Sequence, residues 1–321
     1  MTTRARSRAA HGETATAQAA AVQTARTQVG AHVSSSGGIF NAVTRAQQIG
    51  AEALQIFVSS PQMWRATNHT PEAMTKFREM HAAAGLGEVW IHNIYLANLA
   101  TETPEQLERS IGSVVNALTV GAGIGARGVV LHTGSHHGAG LEPFIAQVRD
   151  ALLAILDTTP GETTLALETM AGQGGAIGKD FEDLGTLLRA VDSPRLRVCL
   201  DTCHTFAAGY ELRTPAGVEE TMRAFDDAIG IEHLAVVHAN DSKTPLGGLR
   251  DRHENIGDGH IGADGFRAIC AHPAFAGRAF LLEVPGLPTA AHPKGDGPDA
   301  ENVARLKAIR DEVAPQAGRS P

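Results

Sequence analysis

The chain has 321 residues, 43% of them hydrophobic, and a formal charge of −8 with its histidines neutral. This length and composition allow one large core, and the negative charge argues against a protein that holds nucleic acid by bulk positive charge. Three cysteines are too few for a disulfide framework, and no apolar run reaches the ~18 residues of a membrane span, so a cytoplasmic protein with no membrane partner is expected.

Residues 1–27 are predicted to form a disordered tail. They are rich in Ala, Thr, Arg and Gln and lack the apolar stretch of a secretory signal. From residue 28 onwards, short apolar runs alternate with longer helical patterns as far as residue 313. We therefore predict a single catalytic domain over 28–313 and a second short tail over 314–321.

Eight strands are predicted, at 28–33, 53–57, 88–92, 127–132, 164–168, 197–201, 234–238 and 279–283. Helical patterns cover 39–49, 71–84, 104–121, 142–156, 180–191, 218–229, 263–271 and 300–313. Strands that alternate with helices indicate parallel βαβ units, and eight of them predict a (β/α)8 TIM barrel with its active site at the C-terminal ends of the strands. The last helix is expected to cover the end of the barrel.

Six consecutive predicted strands end in a residue type that binds metal ions: His92, His132, Glu168, Asp201, His238 and Glu283. In a barrel these strand ends converge on one face. A solvated rim would mix in Lys, Ser and Asn, whereas these six positions hold only His, Asp and Glu. The pattern therefore predicts a metal centre at the active face.

More ligands follow the strands. Asp251 and His253 lie at i and i+2 in a Gly-rich loop between residues 241 and 262, and in an extended segment both side chains point the same way. Three groups are predicted: His204, Asp251 and His253; His92, His132 and Glu168; Asp201, His238 and Glu283. Glu168 is expected to bridge two ions. Nitrogen and carboxylate ligands favour zinc or manganese over calcium or magnesium, and Cys199 and Cys203 are interpreted as small packing residues.

Longer motifs carry a family resemblance. They are G-A-H-V-S at 30–34, H-T-G-S-H at 132–136, L-E-T-M-A-G at 167–172, L-D-T-C-H-T-F-A-A-G-Y at 200–210, H-A-N-D-S-K at 238–243 and D-R-H-E-N-I-G-D-G-H-I-G at 251–262. From about Val29 to about Glu312 the chain resembles the endonuclease IV family of apurinic/apyrimidinic (AP) endonucleases, which are (β/α)8 barrels with three zinc ions.

The resemblance implies a function. The family's zinc ligands carry over onto the nine residues of the three groups, and three Zn²⁺ would change the formal charge from −8 to −2. The chain would cleave duplex DNA on the 5′ side of an abasic site, leave a 3′-hydroxyl and a 5′-deoxyribose phosphate, and clear blocked 3′ ends. A water activated between two zinc ions would be the nucleophile, with Glu168 as the catalytic residue that orients it. A monomer is expected.

The resemblance also predicts residues that contact DNA. Tyr95 stands where the family has a penetrating tyrosine, but Gln62 stands where the best-known pattern has an arginine. A wedge at Gln62 would therefore be weaker and less dependent on salt. Trp64 is an apolar neighbour that could substitute for it, and Arg252 is a candidate for phosphate contact.

Two alternatives remain open at this point. A one-metal sugar isomerase or dehydratase of the same barrel class also places Glu, Asp and His at strand ends, and the negative charge favours it. The group of His204, Asp251 and His253 argues against it, because a one-metal enzyme does not need these ligands. A non-catalytic, metal-dependent DNA-binding protein is the other alternative, and the complete ligand set argues against it.

Overall fold

The computed structural model describes residues 26–159 and 161–314. The predicted N-terminal tail lies outside the described residues except for 26 and 27, and the C-terminal tail does so except for 314. Ten strands are present: β1 (Gln28–His32), β2 (Leu54–Phe57), β3 (Val89–His92), β4 (Gly128–Leu131), β5 (Thr164–Glu168), β6 (Leu196–Asp201), β7 (Leu234–His238), β8 (Asp241–Ser242), β9 (His253–Glu254) and β10 (Ala279–Leu282).

Eight of these strands are parallel and close into a barrel. They follow one another around it in the order β1, β2, β3, β4, β5, β6, β7 and β10, and β10 pairs back onto β1 with Gln28 opposite Ala279. Each begins and ends within one residue of its prediction, so the predicted TIM barrel is confirmed. The remaining strands, β8 and β9, pair antiparallel in the loop that follows β7.

Nine α-helices lie within the described residues: α1 (Asn41–Gln48), α2 (Pro71–Ala84), α3 (Pro104–Ile124), α4 (Ile145–Thr158), α5 (Phe181–Val191), α6 (Thr202–Ala208), α7 (Pro215–Ala228), α8 (Gly262–Ala271) and α9 (Ala300–Val313). Helix α9 packs against α8 and β1. It completes the outer ring as the helix that follows the eighth barrel strand, instead of covering an end of the barrel as expected. No described helix is long and apolar enough to cross a membrane.

The barrel interior has its own small apolar core below the polar face: Ala53, Trp90, Val130, Ala166, Cys199, Val236, Ala279 and Leu281. Trp90 is the largest side chain of this cluster and donates its indole N–H to Glu88 at 2.8 Å. Gly128 is required beside it, because a Cβ there would lie 2.4 Å from the Trp90 ring. A filled interior leaves the C-terminal ends of the strands as the open face of the barrel.

One buried carboxylate organises the Gly-rich loop between residues 241 and 262, for which no strand or helix was predicted. Asp241 is fully buried, and its two oxygens accept backbone N–H groups at Ser242, Gly257, Gly259, Ile261 and Gly262 at 2.8 to 3.1 Å. A Cβ at Gly259 would lie 2.4 Å from Asp241 Oδ1, so only glycine fits there. The part of the loop that follows Asp251 and His253 is therefore fixed to β8.

We expect Asp241→Asn to lower the free energy of unfolding by about 3 kcal/mol, because one oxygen is replaced by an NH₂ group that faces backbone donors in a buried site. Urea denaturation measures the change. The matched control is Asp226→Asn, since exposed Asp226 accepts a single backbone N–H, from Ile231 at 2.8 Å. A loss at Asp241 no larger than the loss at Asp226 would contradict this role.

Candidate metal centre

The side chain of Glu168, at the end of β5, lies at the middle of a histidine cluster. His92 Nε2 and His132 Nε2 are 3.3 and 3.0 Å from Glu168 Oε2. His238 Nδ1 and His204 Nδ1 are 3.0 and 3.3 Å from Glu168 Oε1. Glu168 is fully buried, so this carboxylate is positioned by protein contacts and not by solvent.

Backbone carbonyl groups set the orientation of three of the imidazoles. The Nδ1 atoms of His92, His204 and His253 lie 2.7, 2.9 and 3.3 Å from backbone carbonyl oxygens. A carbonyl oxygen only accepts, so each Nδ1 carries a proton and Nε2 is the nitrogen that can bind a metal ion once it is deprotonated. This is the arrangement that metal-binding histidines adopt.

A further group forms where α6 meets the hairpin of β8 and β9. Asp251 Oδ1 lies 3.2 Å from both His204 Nε2 and His253 Nε2. Asp201 is the N-cap of α6, and its carboxylate accepts the backbone N–H of His204 at 2.7 Å. This short helix, which none of the predicted helical patterns covers, therefore fixes His204. Asp251 and His253 point the same way, as expected for an extended segment.

Two buried amides connect the ligands and were missed in the sequence. Gln55 donates to Glu283 Oε1 at 2.7 Å and accepts from His238 Nε2 at 2.9 Å. Asn240 donates to Asp201 at 2.7 Å and accepts the backbone N–H of Glu283 at 2.8 Å. The signal for Gln55 was one polar residue inside an otherwise apolar strand, Leu-Gln-Ile-Phe.

The donor atoms fit bound cations. Among the described residues, Glu168 Oε2, His204 Nε2 and His253 Nε2 are buried and lack a hydrogen-bond partner. Such atoms are costly in a protein interior unless a ligand satisfies them. Ligand atoms within 4.8 Å of one another form these groups, among others: His92, His132 and Glu168; Glu168, Asp201, His238 and Glu283; Asp201, His204 and His253. Ligand atoms that each lie about 2.0 to 2.2 Å from one zinc ion are separated from one another by less than this 4.8 Å limit.

The charges in the cluster favour cations as well. Burial alone would raise the pKa of Glu168, but His238, His132 and His204 hold it well below its usual range. Burial alone would lower the pKa of His204, but Asp201 and Asp251 raise it well above its ordinary value. The cluster thus has a negative potential that protons or metal ions offset. Its four carboxylates are those of Glu168, Asp201, Asp251 and Glu283.

Two cysteine sulfurs also come within reach. Cys199 Sγ lies near Glu168 and His238, and Cys203 Sγ lies near Asp251 and His253. Burial raises the pKa of each thiol to about 12. Both thiols are buried, which agrees with their interpretation as small packing residues.

The residues predicted to contact DNA lie in loops that follow barrel strands. Gln62 is exposed, and Trp64 is half-buried and lines a cavity of 330 Å³ with Leu96 and Arg109. Trp64 is therefore partly packed and not free on the surface.

Tyr95 and Arg252 project more freely. The Tyr95 ring is 49% exposed although it packs 5.3 Å from the His92 ring and 5.6 Å from the His132 ring. Arg252 is exposed and donates to the backbone carbonyl of Asp251 at 2.7 Å. Both side chains thus lie beside the candidate ligands.

The family model described as xylose isomerase-like TIM barrel matches residues 43–309. A protein named probable endonuclease 4 from Streptomyces coelicolor is 42% identical over 291 residues, which cover 89% of this chain and 96% of that protein. Its counterpart from Natronomonas pharaonis is 41% identical over 286 residues, with 89% and 99% covered. The chain belongs to the endonuclease IV family.

Structural similarity agrees with membership of the endonuclease IV family. The crystal structure of endonuclease IV from Thermus thermophilus matches with a TM-score of 0.77 and 34% identity, over 89% of this chain and 99% of that one. The protein is therefore a DNA-repair hydrolase, which confirms the predicted enzyme class. With sugar isomerases the chain shares the barrel fold, whereas the relatives that match it over nearly their full length are named endonucleases. The same relatives argue against a non-catalytic DNA-binding protein.

Proposed function

We propose that the protein is a zinc-dependent AP endonuclease that hydrolyses the phosphodiester bond on the 5′ side of abasic sites in duplex DNA and also clears blocked 3′ ends. One observation carries the proposal. Nine His, Asp and Glu side chains from six strand ends, one helix and one hairpin converge at the open face of the barrel, around buried Glu168. A barrel built for one metal ion would need only part of this set.

Three zinc ions would be held by the three groups predicted from the sequence, with Glu168 shared between two of them. Histidine nitrogens and carboxylate oxygens are ligands that suit zinc. When bound, zinc supplies a water of lowered pKa and neutralises the charge of the phosphate. All nine ligands come from one chain, which supports a monomer. A cytoplasmic location is part of the proposal, supported by three cysteines that form no disulfide.

Residues of the chain would position the reacting groups. Glu168 Oε2 has no hydrogen-bond partner among the residues that the structure describes, which supports a role in orienting the attacking water. Asp251 and His253 belong to the hairpin of β8 and β9, with exposed Arg252 between them. This side of the centre is therefore suited to hold the scissile phosphate. Gln55 and Asn240 would keep the ligands fixed while the substrate binds.

Selectivity for abasic sites would come from the missing base. An abasic nucleotide has no base to stack, so turning it out of the duplex costs less than for a normal nucleotide. Exposed Tyr95 would enter the resulting gap. Gln62 carries no charge, so we propose that its contact with DNA is weak, while Trp64 supports the loop from below.

The decisive test is cleavage of a duplex oligonucleotide that carries one tetrahydrofuran abasic analogue. The zinc-loaded protein should nick it on the 5′ side without added magnesium, since tetrahydrofuran cannot undergo lyase elimination. Treatment with 1,10-phenanthroline should remove the activity, and added zinc should restore it. The same duplex without the analogue is the control. No nick by zinc-replete protein, or equal nicking of the control duplex, would rule out the proposal.

A further inference from the structure

The loop between β8 and β9 contains a leucine in an unfavourable backbone conformation. Leu249 has φ of 52°, and among the described residues only His137 and Asp192 share a positive φ without being glycine. Asp192 ends helix α5, a place where aspartate tolerates the left-handed region. Leucine has no polar side chain to compensate, so the conformation of Leu249 is strained.

Hydrogen bonds to the neighbouring helix impose this conformation. The backbone N–H of Leu249 donates to the carbonyl of Ala207 at 2.9 Å, and that of Gly247 donates to the carbonyl of Phe206 at 3.1 Å. Both acceptors lie in α6, the helix that carries His204. The loop is therefore fastened to the metal centre, and the position of Leu249 relative to that centre is fixed.

The strained side chain is not used to build the core. Leu249 is 44% exposed, one of four large hydrophobic side chains exposed among the described residues, and it lies two residues before Asp251. It reaches over the loop that follows β5, where its Cδ2 would lie 3.4 Å from a Cβ built on Gly172. Burial thus offsets little of the strain. A strained apolar residue that stays 44% exposed at the edge of a centre points to contact with a ligand.

A second exposed apolar group borders the same centre. Tyr95 packs over His92 and His132 at the ends of β3 and β4, whereas Leu249 lies over the loops after β5 and β6. Two apolar groups thus border the cluster around Glu168 at different places. If a DNA strand lay with its scissile phosphate at this centre and its abasic site near Tyr95, the sugar and base of a flanking nucleotide would face Leu249.

We propose that Leu249 is a substrate-contact residue that packs against the sugar and base of the nucleotide next to the abasic site. The inference rests on the proposed function. A hydrocarbon side chain contacts any base equally well, so this contact would strengthen binding without selecting sequence. Its fixed backbone means that little conformational freedom is lost when DNA binds.

The test compares Leu249→Gly with Leu249→Ala on the tetrahydrofuran duplex. Glycine relieves the strain, so Leu249→Gly should raise Tm by about 2 °C and still lower kcat/KM about tenfold, mainly through KM. Leu249→Ala keeps the strain and should lose the same activity without the gain in Tm. Leu249→Met should retain most of the activity, because it keeps an apolar side chain. Asp192→Gly is the matched control, expected to leave kcat/KM unchanged.

The outcomes are separable. If wild type cleaves and both Leu249→Gly and Leu249→Ala keep a kcat/KM within twofold of wild type, Leu249 does not contact the substrate. If Leu249→Gly lowers Tm, the backbone at Leu249 is not strained. Failure of wild type to cleave would overturn the proposed function and this inference together.

Discussion

Glu168→Gln should lose at least about a thousandfold of the AP endonuclease activity, the largest effect expected of any single substitution. Glutamine keeps the shape of the side chain but removes the negative charge that lies between four histidines at 3.0 to 3.3 Å. It also removes the oxygen proposed to orient the attacking water, and positioned acid–base groups contribute about 10² to 10⁴ to rates. Initial rates on the tetrahydrofuran duplex measure the loss.

Metal content gives a second readout for the same variant. Because Glu168 is shared between two of the three ligand groups, Glu168→Gln should retain about one zinc per chain, in the group of His204, Asp251 and His253. Native mass spectrometry counts the ions. Glu232→Gln is the control, since Glu232 is an exposed carboxylate at the opposite end of the barrel. Three retained zinc ions with more than a tenth of the activity would disprove the shared role.

His204→Ala is the second large effect, with an expected loss of at least about a hundredfold. Changes at residues that only support a metal ligand already cost about 10- to 100-fold, so the loss of His204, a proposed direct ligand, should exceed that. The substitution also leaves Asp251 without the imidazole that lies 3.2 Å from its carboxylate. The two remaining groups keep their ligands, so about two zinc ions per chain should remain.

His233→Ala serves as the control for this variant. His233 precedes β7 at the N-terminal end of the barrel, and the change should leave both rate and zinc content as in wild type. If His204→Ala kept three zinc ions, His204 would not be a ligand. If it lost one ion but cleaved normally, the third ion would have no part in catalysis.

The pattern of short apolar runs and helical stretches was enough to predict the barrel, because that pattern is local. The candidate ligands at strand ends could be selected from the sequence because a parallel barrel brings all its strand ends to one face. Helix α6 was missed because seven residues are too few for a helical period to show. Its signals were an N-cap aspartate, Asp201, and a glycine after the last turn, Gly209.

Features that depend on distant contacts could not be predicted. The role of Gln55 follows only from the closure of the barrel, which brings it to His238 and Glu283. The hairpin of β8 and β9 depends on Asp241, whose acceptors serve backbone groups up to Gly262. The backbone angle of Leu249 is set by hydrogen bonds to α6, and no property of leucine indicates it.

The seam of the barrel joins the beginning of the domain to its end, with Gln28 opposite Ala279. The candidate centre lies across this seam, because Glu283 follows the last strand and contacts His32 and Gln55 from the first two. Closing so long a loop is the step of folding with the largest entropic cost. A chain that has folded only in part therefore lacks the complete centre, and the capacity to cut DNA arises together with the finished fold.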